Sequence, residues 1–238
     1  MAVRLSLVIP AYNEEIRLVM TLDTVGKYLS RQAYDFEIIV VDDGSLDTTA
    51  ELVRMLYPNV RLIEYKPNRG KGYAVKTGML AAEGEYRVFC DADGSTPIEE
   101  LEVMWKRFDS GADIAIGSRS LPGSDVQVRQ HPFRERMGRT FNMFVKMFLG
   151  LPFIDTQCGF KGFTARAAKI VFPLQRRSRF SFDVELLHIA MKHRLRIDEF
   201  PVCWINSPHS RVKLIRDSLD MLRGIVRIRL NDLMGRYE

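Results

Sequence analysis

Short apolar runs rich in β-branched residues alternate with amphipathic stretches through the first half of this chain, and that alternation limits the fold more than any other feature. Residues 5–9, 37–41, 60–64, 86–90 and 113–116 read as strands, with helical patterns near 15–29, 48–56, 73–82 and 97–108 between them. Strand, helix and strand in that order build right-handed βαβ units. Strands that are apolar throughout need cover on both faces, so the expected fold class is α/β: a Rossmann-like, mostly parallel sheet with helices on both sides. Thr96-Pro97-Ile98-Glu99 predicts a helix start, with Thr96 as the cap and Pro97 in the first position.

The second half is less regular. A loop over 117–131 precedes a helix over 133–149, whose stripe of Phe141, Phe144, Val145, Phe148 and Leu149 is core by default and, in a second reading, a groove or membrane-facing surface for an apolar chain. A glycine-bearing stretch (156–163), helices near 165–172 and 182–193, and a strand near 197–204 follow. The last segment, 211–236, is helical, with apolar Leu214, Ile215, Leu219, Leu222, Ile225, Val226, Leu230 and Leu233 beside Arg216, Arg223, Arg227 and Arg229. Its composition suits an interfacial helix, a helix packed back on the domain, or a dimer contact. With no repeat or low-complexity linker, residues 1–210 are expected to form one domain and 211–238 a basic helical extension.

Charge divides the chain unevenly. The net formal charge is +5, but residues 1–116 carry 13 Lys and Arg against 19 Asp and Glu (−6), while residues 117–238 carry 22 against 11 (+11). The basic half suits a polyanion or an anionic surface, and the acidic half argues against a protein that only binds nucleic acid. Cys90, Cys158 and Cys203 are odd in number and lack metal-ligand spacing, so they read as free thiols. The first apolar run is too short for a signal peptide, and no window offers the roughly 18 apolar residues of a membrane span. The expected location is cytoplasmic, with any membrane contact peripheral.

Ligands of an open parallel sheet bind beyond the carboxyl ends of its strands. The polar clusters fall there: Pro10-Ala11-Tyr12-Asn13-Glu14, Asp42-Asp43-Gly44-Ser45, Asp91-Ala92-Asp93-Gly94-Ser95 and Gly117-Ser118-Arg119. The loop after the first strand has neither G-x-G-x-x-G nor G-x-x-x-x-G-K-[ST], which disfavours dinucleotide oxidoreductases and P-loop NTPases. Asp91 and Asp93 flank one small residue after a buried strand. Carboxylates that close repel unless a cation lies between them, pointing to Mg²⁺ or Mn²⁺ shared with a diphosphate. Asn68-Arg69-Gly70-Lys71-Gly72 opens a helix and reads either as a phosphate-facing loop or as an ordinary turn.

Taken together, LSLVIPAYNEE, VVDDGSLD, NRGKGYAVKTGML, DADGSTP and GSR resemble the family-2 glycosyltransferases of GT-A fold. DTQCGFKGFT (155–164) and RFSFDVELL (179–187) are similar to the dolichyl-phosphate β-glucosyltransferase branch, whereas the related mannose synthases usually carry a D-L-T-G-S-F-R type string at the first place. The resemblance runs from Leu5 to Arg211. It implies that Pro10, Ala11, Tyr12 and Glu14 line a base and ribose pocket, with Val41 and Asp43 at the uracil edge and Lys71 near the nucleotide. Asp91, Ala92 and Asp93 would flank the diphosphate, Asp93 being the main metal ligand, and Arg119 would neutralise phosphate charge. Where mannose synthases place an Arg and a Ser-Lys, this chain has Ser210-Arg211 with Lys213 beyond.

The implied reaction is inverting transfer of glucose from UDP-glucose to a dolichyl or other polyprenyl phosphate at the cytosolic membrane face. Residues 1–116 would bind the nucleotide sugar and 117–210 the acceptor, with a membrane subunit or a homodimer as further partners. A phosphate acceptor is already an anion and needs no general base, but it needs cations to approach a diphosphate. Arg134, Arg136 and Arg139, on the first turns of the 133–149 helix, are candidates for it, or form a solvated face. A GDP-mannose enzyme or a hydroxyl acceptor are alternatives; a hydroxyl would require Asp155, Asp183 or Glu185 as base. A non-catalytic module docking on lipid or nucleic acid is a third, which the paired Asp91 and Asp93 oppose. The four histidines are read as structural.

Overall fold

The computed structural model describes residues 3–127, 132–205 and 214–238, without the side chains of 132–136, 139 and 214–219. The first half runs β1 (Leu5–Ala11), α1 (Arg17–Leu29), β2 (Phe36–Asp42), α2 (Thr49–Leu56), β3 (Arg61–Glu64), α3 (Lys71–Ala81), β4 (Tyr86–Phe89), α4 (Leu101–Asp109) and β5 (Ile114–Ser118). The second half runs β6 (Asp125–Val126), α5 (Pro132–Leu149), β7 (Lys161–Thr164), α6 (Ala165–Leu174), α7 (Phe182–Lys192), β8 (Ile197–Pro201), β9 (Cys203–Trp204) and α8 (Leu214–Leu233).

Alternation along β1 creates two cores. Leu5, Leu7 and Ile9 pack with α1 and α4 on one face, while Val8 packs with α3 and the helices of the second half on the other. Seven strands line up as β3-β2-β1-β4-β7-β5-β8. The parallel α/β sheet is as expected, with one departure: β7 lies antiparallel between β4 and β5. Its first three residues fall in the glycine-bearing stretch 156–163, where a lysine and a glycine hide the strand pattern. Thr164 then caps α6 directly, its hydroxyl accepting from the Ala167 N–H at 3.2 Å.

Two local expectations need correction. Thr96 does not cap a helix: it lies in a bend, Pro97 is extended, and the chain makes one 3₁₀ turn at Ile98–Glu100 and enters α4 without a side-chain cap. The turn is tied to β9 instead, with the Cys203 N–H donating to Glu100 Oε1 at 2.8 Å and the Ile205 N–H to the Ser95 carbonyl. The strand read over 197–204 is two: β8 ends at Pro201, and β9 pairs with β6 in a separate ribbon.

On α5, Phe141, Val145 and Leu149 enter the core, while Phe148, Met143 and Met147 face outward. The C-terminal helix has two apolar faces. Met221, Ile225 and Ile228 are buried, with α8 packed on α5 and α7, whereas Val226, Leu230 and Leu233 are exposed on the far side. Tyr237, wholly buried, donates its hydroxyl to Glu185 Oε1 at 2.6 Å and pins the chain after α8 to α7. Among the described residues no helix is long and apolar enough to cross a membrane.

Candidate active site

The carboxyl ends of β1, β2, β4 and β5 bring the expected polar clusters to one edge of the sheet, and the antiparallel β7 brings its amino end there as well. The first two loops are laced together. The Asn13 N–H donates to Ser45 Oγ at 2.8 Å, the Glu14 N–H to Thr49 Oγ1 at 2.7 Å, and the Leu46 N–H to Asn13 Oδ1 at 2.7 Å. Pro10, Ala11 and Ala92 are buried, and Tyr12 is half-buried at the rim. Ala92 contributes its carbonyl, which accepts from Thr21 Oγ1 at 2.8 Å.

Asp43 and Val41 differ in what they can offer a ligand. The Asp43 carboxylate accepts the N–H groups of Arg69 (2.7 Å) and Gly70 (2.8 Å) and the Asn68 amide (2.8 Å). Burial pushes this carboxyl up, and the donated N–H groups oppose that. Asp43 thus anchors the Asn68–Gly72 loop, where Gly70 at φ +100° passes beneath the Ser178 carbonyl with no room for a side chain. The Val41 side chain is wholly buried, against Gly78 of α3. Replacing Asp43 with alanine removes three bonds to a charged acceptor and is expected to cost about 2–4 kcal/mol in chemical denaturation.

Cations surround the paired acids. Lys71 Nζ lies 2.5 Å from Asp91 Oδ1. Burial disfavours its ammonium, but Asp91, Asp183 and Asp93 outweigh this and the net shift is upward. Arg17 pairs with Glu14 at 2.6 Å and reaches to 3.8 Å from Asp93, whose Oδ1 accepts the Ser95 N–H. Arg119 grips Asp155 with two parallel bonds, at 2.7 and 2.9 Å, and lies 5.6 Å over the Trp204 ring. Burial works against both charges of this pair, yet the mutual attraction dominates: Arg119 is pushed up and Asp155 down to about 2.

The three carboxylates offered as a base are all engaged. Asp155 holds Arg119; Asp183, buried, accepts from Lys161 Nζ at 2.6 Å; Glu185, wholly buried, accepts from Tyr237 and from the N–H groups of Arg176 and Arg177. Sequence reasoning missed Lys161, Arg17 and Glu199, which accepts the N–H groups of Ile154 and Asp155 at 3.0 and 2.7 Å. A lysine between Phe160 and Gly162 in an otherwise apolar stretch was the available signal. Arg134, Arg136 and Arg139 lie on the first turns of α5 with side chains outside the described residues, as are Arg211 and Lys213 altogether.

No cluster of three or more His, Cys, Asp and Glu able to hold a metal exists among the described residues. Asp91 and Asp93 therefore fit a hard cation only as two of its oxygen donors, with diphosphate and water supplying the rest, the usual arrangement for Mg²⁺ at phosphates.

A parallel α/β sheet with paired acids past its central strand and cations around them is the architecture of a GT-A glycosyltransferase. Solved structures of glucosyl-3-phosphoglycerate synthase from Mycobacterium tuberculosis share the fold: the complex with Mn²⁺, UDP-glucose and phosphoglyceric acid superposes with a TM-score of 0.69 at 20% identity, covering 95% of this chain and 79% of that one. The glycosyl transferase family 2 model matches residues 6–169, and the chain belongs to that family. Its relatives include dolichyl-phosphate β-glucosyltransferases from Dictyostelium discoideum (39% identical, over 97% of this chain and 75% of the relative), Saccharomyces cerevisiae (34%, over 98% and 76%) and Homo sapiens (34%, over 98% and 77%).

Proposed function

We propose that this glycosyltransferase moves glucose from UDP-glucose to dolichyl or another polyprenyl phosphate with inversion at the anomeric carbon. A phosphate oxygen forms the new bond to C1 from the face opposite UDP, and UDP departs with the electrons of the old bond. The observation that carries this reading is the engagement of Asp155, Asp183 and Glu185 in ion pairs and hydrogen bonds. A hydroxyl nucleophile would need one of them as a base, whereas a phosphate arrives deprotonated. The likeness to dolichyl-phosphate β-glucosyltransferases over nearly the whole chain supports the sugar and the lipid.

Tyr12, Glu14 and Asp43 form the nucleotide end of the site in this reading. Asp93 and Asp91 would hold Mg²⁺ or Mn²⁺, which when bound offsets charge developing on the departing diphosphate. Lys71 and Arg119 add fixed positive charge at the same edge. The acidic residues 1–116 serve the donor. Residues 117–210 serve the acceptor, with Arg134, Arg136 and Arg139 as phosphate contacts, joined by Arg211 and Lys213 from the start of the C-terminal extension.

Turnover of UDP-glucose with a short polyprenyl phosphate tests the reaction, with GDP-mannose and a polyprenol as competing donor and acceptor. Transfer to the polyprenol alone would refute the phosphate argument. The acceptor also calls for docking at the cytosolic membrane face, where the outer stripe of α8, flanked by Arg223, Arg227 and Arg229, fits an anionic lipid surface. Leu230→Glu is expected to weaken sedimentation with anionic phospholipid vesicles severalfold, leaving turnover of a detergent-dispersed acceptor unchanged.

A further inference from the structure

Lysine is almost never fully buried without a partner, and Lys161, the first residue of β7, is wholly buried. Its ammonium donates to Asp183 Oδ1 at 2.6 Å and to the Cys158 carbonyl at 2.5 Å, and lies 5.5 Å over the Phe89 ring. Asp183 is on the first turn of α7. A buried ion pair can often be replaced by apolar residues of similar volume without loss of stability, so the fold alone does not require this one.

What the pair does hold is local. The bond to the Cys158 carbonyl closes the turn over residues 158–161, and that turn presses Gly159 against Asp91, where a Cβ would overlap the carboxylate. Asp91 thereby meets both the Gly159 backbone and the Lys71 ammonium. We propose that Lys161 and Asp183 form a positioning pair that aims the Asp91 carboxylate through the wall made by Cys158 and Gly159. The inference rests on Asp91 and Asp93 being the metal and diphosphate site. Neither partner is a catalytic residue, since both side chains are buried and paired with each other.

The test is titration of UDP into the full chain with and without Mn²⁺, for the unaltered protein, for Gly159→Ala and for the double variant Lys161→Met with Asp183→Leu. In the unaltered protein Mn²⁺ tightens UDP binding. Both variants are expected to lose about 10–100-fold of that Mn²⁺-dependent gain, the usual scale for disturbing the support of a metal ligand. Their metal-free UDP affinity and melting temperature should stay near those of the unaltered protein.

A double variant that melts earlier but keeps the full Mn²⁺ gain makes the pair merely structural and overturns the proposal. Should the double variant not fold, Gly159→Ala decides alone, because it leaves the Lys161–Asp183 pair intact and its added Cβ meets the Asp91 carboxylate first. An unchanged Mn²⁺ gain in that variant overturns the wall. An unaltered protein whose UDP binding ignores Mn²⁺ brings down the site reading itself, a result distinct from variants that match a responsive protein.

Discussion

Asp93→Asn is expected to reduce turnover by on the order of 10³-fold while the protein folds normally. The Asp93 Oδ1 accepts the Ser95 N–H at 3.1 Å, and an asparagine oxygen can accept the same bond, so the turn after β4 keeps its shape. What changes is charge. The side chain is 23% exposed at the open edge of the sheet, and only its ionised form can share a divalent cation with a diphosphate. The loss should fall on kcat and on the Mn²⁺ dependence, with the acceptor KM little affected. Steady-state kinetics at saturating Mn²⁺ checks this, and a variant within tenfold of the parent would refute the role given to Asp93.

The second large effect concerns stability. Asp155→Asn leaves the Arg119 guanidinium without its charge partner, and Asp155 also accepts the N–H groups of Arg119 and Gln157. Breaking a buried pair by removing one partner costs about 3–5 kcal/mol. For a chain of this size that is a fall in melting temperature on the order of 10 °C. The pH dependence has a definite sign. The folded-state pKa of Asp155 is depressed from 3.8 to about 2, so its contribution is fully present above pH 4 and is lost as pH falls through 2. That contribution is about 2 kcal/mol. The gap between the denaturation curves of the two proteins should therefore narrow by about 2 kcal/mol between pH 4 and pH 2. A constant gap across that window would mean that the pair contributes nothing through its charge.

The periodicity of residues 5–118 carried most of the fold, because parallel strands buried on both faces leave an uninterrupted apolar signature. It failed at β7, where Lys161 and Gly162 stand in a central strand for reasons of contact rather than propensity: one ties the strand to α7, and the other lies against Met104 and Phe108. The site was legible as clusters at strand ends, since polar residues straight after a buried strand have nowhere to go but the sheet edge. The pairing among them was not legible. That Asp155 is the partner of Arg119, and that Asp43 ties down the Asn68–Gly72 loop, depends on contacts between residues 25 to 36 positions apart. Sequence spacing carries no such information.

The place of β7 also governs how the chain can be made. Among the described residues β5 pairs only with β7 and β8, and the outer side of β4 is covered by β7, whose residues are 72 to 78 positions further along. At a synthesis rate of about 5–20 residues per second, β4 waits some 4–15 s on the ribosome with an open edge. Such an edge is a template for pairing with another chain. A fragment ending at residue 116 would keep that edge for good and leave β5 unpaired, so it should aggregate rather than survive as a small nucleotide-binding unit.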